Sequence, residues 1–265
     1  MKTLKSKFEV SGIGLMSGIE TALEIRPAES KGIRFHIGGS VIEANLNNIV
    51  STEHCVVLGV PTGAKVALIE HFMAACAICD IEGLDVYLSG GFELPILDGS
   101  AKIWVEKFRE AGICGEAERR ICLSAPVHFI KGKSSISLVP QEGETTITYA
   151  VNFNHPELKN RWADSSNLEE VIEARTFGYL KDLETFQKMG FSKGVTIDNT
   201  VGLTDEGYTT VLRSEFEPVK HKILDIIGDL YLTGVNPLKL CANITVKEAG
   251  HALHVEAAKL LKEQL

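Results

Sequence analysis

The stretch HKILDIIGDL, from His221 to Leu230, predicts a buried amphipathic helix that also carries polar residues on one side. Its apolar residues recur at helical spacing, as expected for a face that packs on a core. At roughly 100° per residue, His221, Asp225 and Asp229 fall within about 80° of one another. A histidine and two carboxylates therefore share one face of this helix, and a site there needs partners from elsewhere in the chain.

The composition indicates a folded chain with one large core or two ordinary ones. The chain has 265 residues, of which 45% are hydrophobic, which is enough for two domains of usual size. The net charge of -8 argues against nonspecific binding to nucleic acid or anionic lipid. The sequence shows neither a signal peptide pattern nor the roughly 18 apolar residues of a membrane span. We therefore expect a cytoplasmic protein without a nucleic acid partner or a membrane span.

The six cysteines are expected to be reduced, because they are scattered without the density of a disulfide scaffold. Cys76 and Cys79 form a C-x-x-C motif, a spacing found in redox and zinc sites. No second pair accompanies them, and they lie in the apolar run HFMAACAICD. We favour buried structural thiols for both.

The order of predicted strands and helices occurs twice, which indicates an α+β fold of two similar domains. Each domain is predicted to be a layer of β-sheet packed with helices, with the active site between the two. We place the first domain at residues 1–117 and the second at 118–265. The main predicted helices cover residues 67–81, 102–111, 168–174 and 217–232.

A β-α-β insert is predicted in the second domain at about residues 175–203. It consists of a short strand (RTFGYL), a helix (DLETFQKMG) and a strand-like run (GVTIDNTVGL). Such an insert lies on the surface, so its apolar residues need a partner or a ligand to cover them.

His221 and Asp225 lie one helical turn apart and are plausible ligands of a single metal ion. This spacing is weak evidence alone, because a solvated or capped helix face produces it as readily. A catalytic zinc also needs a third protein ligand and an open position for water. His71 offers the third ligand, and Glu70 beside it would then be the general base. The alternative is that Glu70 and His71 lie at an exposed helix end.

Three further residues are candidates for the same chemistry. His251 opens an apolar helix and could be the general acid for a leaving amine, with Asp229 holding its imidazole. Thr176 could donate a hydroxyl hydrogen bond to a developing oxyanion. Lys222, next to the ligand face, could add positive charge there.

Together these stretches resemble the UDP-3-O-acyl-N-acetylglucosamine deacetylase family, zinc amidases of lipid A synthesis. The resemblance extends nearly from end to end, and the motifs occur in the family's order. The matching motifs are GIGLMSG (12–18), IEHFMAA (69–75), ELPILDGSA (93–101), NFNHP (152–156), ARTFGY (174–179), EPVKHKILDIIGDL (217–230) and GHAL (250–253).

The resemblance implies a zinc ion and a set of catalytic groups. Zinc would be held by His71, His221 and Asp225. Glu70 would be the base and His251 the acid, with Asp229 orienting His251. Thr176 and the zinc would polarise the amide carbonyl, and Lys222 would lie near the oxyanion or the diphosphate.

The resemblance also implies the substrate, an acylated UDP-amino sugar that loses its acetyl group as acetate. Phe153 would pack on the uracil. The insert would form a hydrophobic tunnel for the acyl chain, with Phe177, Tyr179, Leu180 and Leu183 as substrate-binding residues. The family suggests a monomer that makes at most peripheral contact with the membrane.

The chain departs from the family pattern away from the expected zinc ligands. Met16 stands where the family commonly has histidine, and His254 replaces an asparagine. SKGV (192–195) replaces glycine-glycine-serine, and GYTTVLRSEFEP is an altered form of the stretch before the zinc helix. These changes leave three alternatives open: a divergent zinc deacetylase of another N-acetylated sugar nucleotide, a catalytically silent binder of acylated sugar nucleotide, and a metal-free structural protein.

Two polar residues outside this set are expected to be structural. Asp98 lies between Pro95 and Gly99 in LPILDGSA, where a turn aspartate bonds to its own backbone. His155 precedes a proline in NFNHP and is also expected in a turn.

Overall fold

The computed structural model of the protein describes residues 1–116 and 119–265. The elements of the first domain are β1 (Thr3–Leu4), β2 (Phe8–Ile13), β3 (Glu20–Pro27), β4 (Gly32–Ile37), β5 (Ser40–Glu43), β6 (Ile49–Ser51), β7 (Val57–Gly59), β8 (Lys65–Ala67), α1 (Glu70–Ile78), β9 (Gly83–Gly90), α2 (Lys102–Ala111) and β10 (Ile113–Cys114). The predicted boundary at residues 117 and 118 lies outside the described residues and stays a prediction.

The second domain repeats this order and adds the insert. Its elements are β11 (Val127–Lys131), β12 (Ser134–Pro140), β13 (Thr146–Val151), β14 (Arg161–Asp164), α3 (Leu168–Ile172), β15 (Thr176–Tyr179), α4 (Leu180–Lys188), β16 (Thr200–Leu203), α5 (Glu217–Tyr231), β17 (Ala242–Lys247) and α6 (His251–Lys262). Short 3-10 helices cover Leu46–Asn48 and Pro237–Lys239.

The two large sheets have the same topology, which confirms the predicted α+β fold of two similar domains. The first five-stranded sheet has the order β2-β3-β9-β4-β5, and the second has β11-β12-β17-β13-β14. In each sheet the last strand lies between two hairpins, antiparallel to the first hairpin and parallel to the second. One face of each sheet packs on the core, since buried and more accessible residues alternate along β3 and β13.

Helices α1 and α5 hold equivalent positions before the last strand of each sheet, and they pack against each other. Every residue of α1 from Glu70 to Ala77 is buried. Gly228 of α5 lies so close to α1 that a Cβ there would be 2.0 Å from the carbonyl oxygen of Glu70. The lack of a side chain at Gly228 therefore allows the two helices, one from each domain, to meet.

The insert is a parallel pair of strands joined by a helix. Strand β15 pairs with β16 in the register Thr176 with Thr200, and α4 connects them. Helix α4 has no buried residue, so it covers other parts of the protein without entering the core. Among the described residues, no helix is both long and apolar enough to cross a membrane.

The sequence predictions differ from the structure at several element boundaries. Helix α1 begins at Glu70 and not at residue 67, because Lys65–Ala67 pairs with β7 and Leu68 has a positive φ of 60°. The run GVTIDNTVGL is a strand only over Thr200–Leu203, since the Asn199 side chain holds a turn by accepting from the backbone N–H of Thr196. Strand β17, the central strand of the second sheet, was not predicted at all.

Candidate active site

Three buried side chains converge where α1 meets α5. His71 comes from α1, and His221 and Asp225 come from α5; their potential ligand atoms lie within 4.8 Å of one another. Oδ1 of Asp225 is 3.4 Å from Nε2 of His221 and 3.8 Å from Nε2 of His71. This carboxylate oxygen is buried without a hydrogen-bond partner. Because a buried carboxylate oxygen without a partner is costly, the geometry favours a cation at this point.

The two histidines have the protonation state that a metal ligand needs. Nδ1 of His221 is 2.9 Å from the carbonyl oxygen of Ala174, which can only accept, so Nδ1 carries the hydrogen and Nε2 has a free lone pair. Burial lowers the pKa of His221, and burial together with the neighbouring His221 lowers that of His71 to about 3. Two neutral imidazoles and a carboxylate therefore fit a transition-metal ion.

Asp225 is ionised in spite of its burial. Burial favours the neutral acid, but the positive charges of Lys222 and His251 outweigh burial, and the pKa of Asp225 lies well below its usual value. The Lys222 ammonium donates to Oδ2 of Asp225 at 2.5 Å. The predicted position of Lys222 beside the ligand face agrees with this contact.

Glu70 lies beside the three potential ligands, on the first turn of α1. Its Oε2 accepts from the backbone N–H of Val56 at 3.1 Å, and its Oε1 is 3.8 Å from Nε2 of His251. Burial, aided by the charges of Asp229 and Asp225, raises the pKa of Glu70 to about 7 against the opposing effect of His251. A carboxylate with a pKa near neutrality can both take up and release a proton under ordinary conditions.

His251 opens helix α6 and faces Glu70 across the site. Its Nδ1 donates to Oδ2 of Asp229 at 2.7 Å, which leaves Nε2 directed toward Glu70. Burial by itself would lower the pKa of His251, but the carboxylates of Asp229 and Asp225 outweigh burial and raise it to about 9. His251 is therefore a cation at neutral pH and can donate a proton.

A second histidine, His254, bonds to the same carboxylate oxygen. Nδ1 of His254 is 2.7 Å from Oδ2 of Asp229, and its Nε2 is 2.9 Å from the Tyr149 hydroxyl. These are hydrogen-bond lengths that leave no space for an ion between nitrogen and oxygen, so His251, His254 and Asp229 form a hydrogen-bonded set. Sequence reasoning noted His254 only as a departure, although its position three residues after His251 places both on one helix face.

A buried ion pair fixes the insert to α5. The Glu217 carboxylate accepts from the backbone N–H and the guanidinium Nε of Arg175, both at 2.9 Å, and from the backbone N–H of Arg213 at 2.7 Å. The backbone N–H of Thr176 donates to the carbonyl of Gly99 at 2.7 Å. Three consecutive residues thus have separate roles. Ala174 holds His221, Arg175 anchors α5, and Thr176 lines the cavity.

A cavity of about 400 Å³ lies between the insert and the loop at residues 12–18. Its lining includes the predicted substrate-binding residues Phe177, Tyr179, Leu180 and Leu183, together with Thr176. Phe153 does not line it but packs edge-on against Phe177, with ring centroids 5.4 Å apart. Phe177 in turn contacts His221, with ring centroids 6.1 Å apart, so one residue of the cavity lining lies against one of the three potential ligands.

Comparison with known proteins identifies the family. The model of the family described as UDP-3-O-acyl N-acetylglycosamine deacetylase matches residues 1–263. The chain belongs to this deacetylase family. A UDP-3-O-acyl-N-acetylglucosamine deacetylase of Leptospira biflexa is 34% identical over 100% of this chain and 90% of its own length. Those of Geotalea uraniireducens and Thermosynechococcus vestitus are 36% and 32% identical, over 96% and 99% of this chain and 85% and 94% of their own lengths.

The departures from the deacetylase family pattern at residues 16 and 192–195 meet at the cavity. Met16 and Ser192 both line it, and the backbone N–H of Gly194 donates to the carbonyl of Leu15 at 3.0 Å. The buried Glu93 carboxylate holds this loop by accepting from the backbone N–H groups of Met16 and Ser17 at 2.7 and 2.9 Å. Sequence reasoning gave no role to Glu93, because no local pattern reveals a partner 77 residues away.

Asp98 and His155, which were expected to be structural, form hydrogen bonds within loops of this deacetylase family member. Asp98 accepts from the backbone N–H of Ser100 at 3.2 Å, as predicted for a turn, and its other oxygen pairs with Arg213 at 2.7 Å. His155 is buried and bonds to the carbonyl of Gly207 at 2.8 Å. Cys76 is buried as expected, whereas Cys79 is only half-buried. Burial nevertheless raises the pKa of both thiols, which agrees with low reactivity.

Proposed function

We propose that this protein hydrolyses the N-acetyl group of UDP-3-O-(3-hydroxyacyl)-N-acetylglucosamine, releasing acetate and the free amine in the committed step of lipid A synthesis. The relatives named UDP-3-O-acyl-N-acetylglucosamine deacetylase support this substrate. The observation that carries the proposal is the position of Glu70 and His251. Oε1 of Glu70 and Nε2 of His251 lie 3.8 Å apart beside three convergent potential metal-ligand side chains, and one of these, His221, contacts Phe177 of the apolar cavity.

We propose zinc as the ion, held by His71, His221 and Asp225. Two imidazole nitrogens and one carboxylate oxygen are a ligand set used by catalytic zinc sites, and the unpartnered Oδ1 of Asp225 supports a cation there. When bound, zinc supplies a Lewis acid that polarises a carbonyl and makes water easier to deprotonate. The Nδ1–H bond from His221 to Ala174 keeps the imidazole in the tautomer that binds through Nε2.

Glu70 is the proposed general base. Its pKa of about 7 leaves a large fraction ionised near neutral pH, and ionised Glu70 can remove the proton from an attacking water. The hydrogen bond from the Val56 backbone fixes Oε2 at 3.1 Å, so Oε1 is the oxygen that remains for the water. The buried surroundings of Glu70 also limit competition from bulk solvent.

His251 is the proposed general acid for the leaving amine. Asp229 holds its Nδ1–H at 2.7 Å, so the Nε2–H points into the site and is available to the amine nitrogen. The pKa of about 9 keeps His251 protonated while Glu70 is ionised. After one turnover the base holds a proton and the acid has lost one, and exchange with water restores both.

Thr176 and Lys222 are proposed to stabilise negative charge on the substrate. Thr176 lines the cavity, and its hydroxyl would donate to the carbonyl oxygen as that oxygen becomes negative. Lys222 keeps its ammonium at the ligand set through Asp225, close to the oxyanion or the diphosphate. Both groups act on charge that develops in the reaction or that the substrate already carries.

The remaining substrate contacts follow from the cavity. We propose that the acyl chain lies along Phe177, Tyr179, Leu180 and Leu183, and that Phe153 packs on the uracil. A bound acyl chain would cover apolar residues of the insert that the structure leaves exposed, among them Leu180 and Ile197. We further propose a monomer that works in the cytoplasm and contacts the membrane only peripherally.

The decisive experiment measures acetate release from UDP-3-O-(3-hydroxyacyl)-N-acetylglucosamine by chelator-stripped protein, before and after about one equivalent of zinc or ferrous iron is restored. Metal-dependent release supports the proposed reaction, and the comparison of the two metals identifies the active ion. Protein that binds zinc but releases no acetate contradicts the proposal. Release from a different N-acetylated sugar nucleotide would then identify the divergent deacetylase, and tight binding without release would identify the silent binder.

A further inference from the structure

His254 and Tyr149 are buried beside the proposed acid, and the proposed mechanism gives neither a role. The His254 side chain is completely buried, and both of its ring nitrogens lie within hydrogen-bond distance of a partner. Such a fully partnered polar group in a core specifies one arrangement of its neighbours. The neighbour of functional interest is Asp229, because its Oδ2 also holds His251.

The hydrogens of this set can be assigned from its acceptors. A carboxylate only accepts, so His254 donates its Nδ1–H to Asp229. Burial lowers the pKa of His254, and the neutral ring therefore accepts the Tyr149 hydroxyl hydrogen at Nε2. The Tyr149 oxygen also lies 2.8 Å from the carbonyl of Ala249, an alternative acceptor just before α6.

Two donors from the same helix converge on a single oxygen. His251 and His254 are three residues apart on α6, so both rings lie on the face that packs on α5. Each Nδ1 is 2.7 Å from Oδ2 of Asp229, while Oδ1 of Asp229 is buried without a partner. With a single donor, the carboxylate can rotate about its Cβ–Cγ bond and offer either oxygen to His251. The second donor removes that freedom.

We propose that His254 is a positioning residue for the acid: it fixes the rotation of the Asp229 carboxylate, and thereby the direction in which His251 presents Nε2 to the substrate. The kinetic part of this inference rests on the proposed deacetylase function. His254 touches neither the three potential metal ligands nor the cavity lining. Its loss should therefore change turnover while leaving metal content and substrate binding largely intact.

Two variants separate the contacts of His254. H254N places an amide N–H where Nδ1 was, so it keeps the donor to Asp229, while the Tyr149 hydroxyl can turn to Ala249. H254Q places its amide where Nε2 was, so it keeps the Tyr149 contact and loses the donor to Asp229. Outer-shell partners of metal-binding side chains typically matter by about 10- to 100-fold, and we take the same factor for the partner of a proposed acid. We expect kcat to fall by that factor in H254Q, with KM nearly unchanged, and H254N to restore most of it.

The closing experiment combines kinetics with histidine NMR on the zinc-loaded protein. In ¹⁵N-histidine-labelled wild type, His251 and His254 should each show a hydrogen-bonded Nδ1–H; the His251 signal should persist in H254N and broaden through water exchange in H254Q. Equal kcat in the two variants, or an unchanged His251 signal in H254Q, would overturn the positioning role. If H254Q does not fold, absence of a bonded His254 Nδ1–H in wild type still overturns it. Failure of wild type to release acetate would contradict only the proposed function, because the NMR comparison needs no substrate.

Discussion

The contact between α1 and α5 predicts that Gly228→Ala reduces activity far more than stability. In the present structure the new Cβ would lie 2.0 Å from the carbonyl oxygen of Glu70, whereas real Cβ contacts stay above 3.0 Å. The helices must therefore separate by at least about 1 Å, the difference of these two distances, because the obstructing atom belongs to the backbone. That movement carries Glu70 and His71 away from His221 and Asp225.

The expected magnitudes follow from this displacement. Metal sites tolerate errors of only about 0.2 Å in ligand distance, so zinc affinity should fall. A misplacement of about 1 Å costs on the order of 100-fold in rate. Overpacking of a core costs about 1–3 kcal/mol, and the better helix propensity of alanine offsets about 1 kcal/mol of that. The net loss in the free energy of unfolding should therefore be about 2 kcal/mol or less.

The assay compares acetate release at saturating zinc, zinc content after dialysis, and urea unfolding of Gly228→Ala with those of wild type. Gly207→Ala is the matched control, since its Cβ would meet nothing within 4 Å and its φ is not in the left-handed region. The control should behave like wild type in all three measurements. If Gly228→Ala keeps wild-type kcat and zinc content, the separation of α1 and α5 does not control the geometry of the site, and the reasoning is refuted.

Three further substitutions test other parts of the structure. Glu70→Gln should lower kcat by about 100-fold or more, the usual contribution of a general base, and still bind one equivalent of zinc by metal analysis; full turnover with zinc bound would remove Glu70 from that role. Burial would raise the pKa of Glu217, but Arg175 and Arg213 lower it below the usual 4.5. Ionised Glu217 therefore stabilises the wild-type fold above pH 4.5, and this contribution to the free energy of unfolding is lost as the pH falls through the lowered pKa. Glu217→Gln, which removes one charge of a buried pair, should cost about 3–5 kcal/mol at neutral pH, with a flatter pH dependence in urea unfolding; equal slopes would contradict the assignment. Leu183→Trp should reduce acetate release from long-acyl substrates more than from short-acyl ones, and equal effects on both would argue against the acyl chain occupying this cavity.

Helical spacing predicted which polar groups of α5 lie together, because these groups share one element. The face of α5 with His221, Asp225 and Asp229 follows from the 3.6-residue period, and the structure buries all three. The structure also divides their contacts: Asp225 lies with the potential metal ligands, whereas Asp229 bonds to histidines of α6. This division depends on how α1 and α6 pack on α5, which no spacing within one helix can reveal.

The features that the residue patterns did not predict depend on contacts between distant parts of the chain. The residue patterns did not predict strand β17, although its buried and accessible residues alternate. The strands that pair with β17 are β12 and β13, which lie about 100 residues earlier in the sequence, so no local hairpin pattern indicates it. The predicted start of α1 is too early because the apolar end of Lys65–Ala67 continues the helical pattern. In the structure this segment pairs with β7 and is a strand. Glu93 and His254 act through residues far away in sequence, so only the folded arrangement gives them a role.

The duplicated topology explains why the site lies between the domains and why its two sides differ. Helices α1 and α5 are equivalent elements that pack closely together, and both contribute potential metal ligands. The helices that follow the last strands are not equivalent in chemistry: α6 brings His251 to Asp229, whereas α2 buries Trp104, Val105 and Phe108 in the first core. The first domain thus supplies the proposed base and one potential ligand, and the second supplies two potential ligands and the proposed acid. Neither domain alone contains the complete set, so we expect activity to require the interface that Gly228 permits.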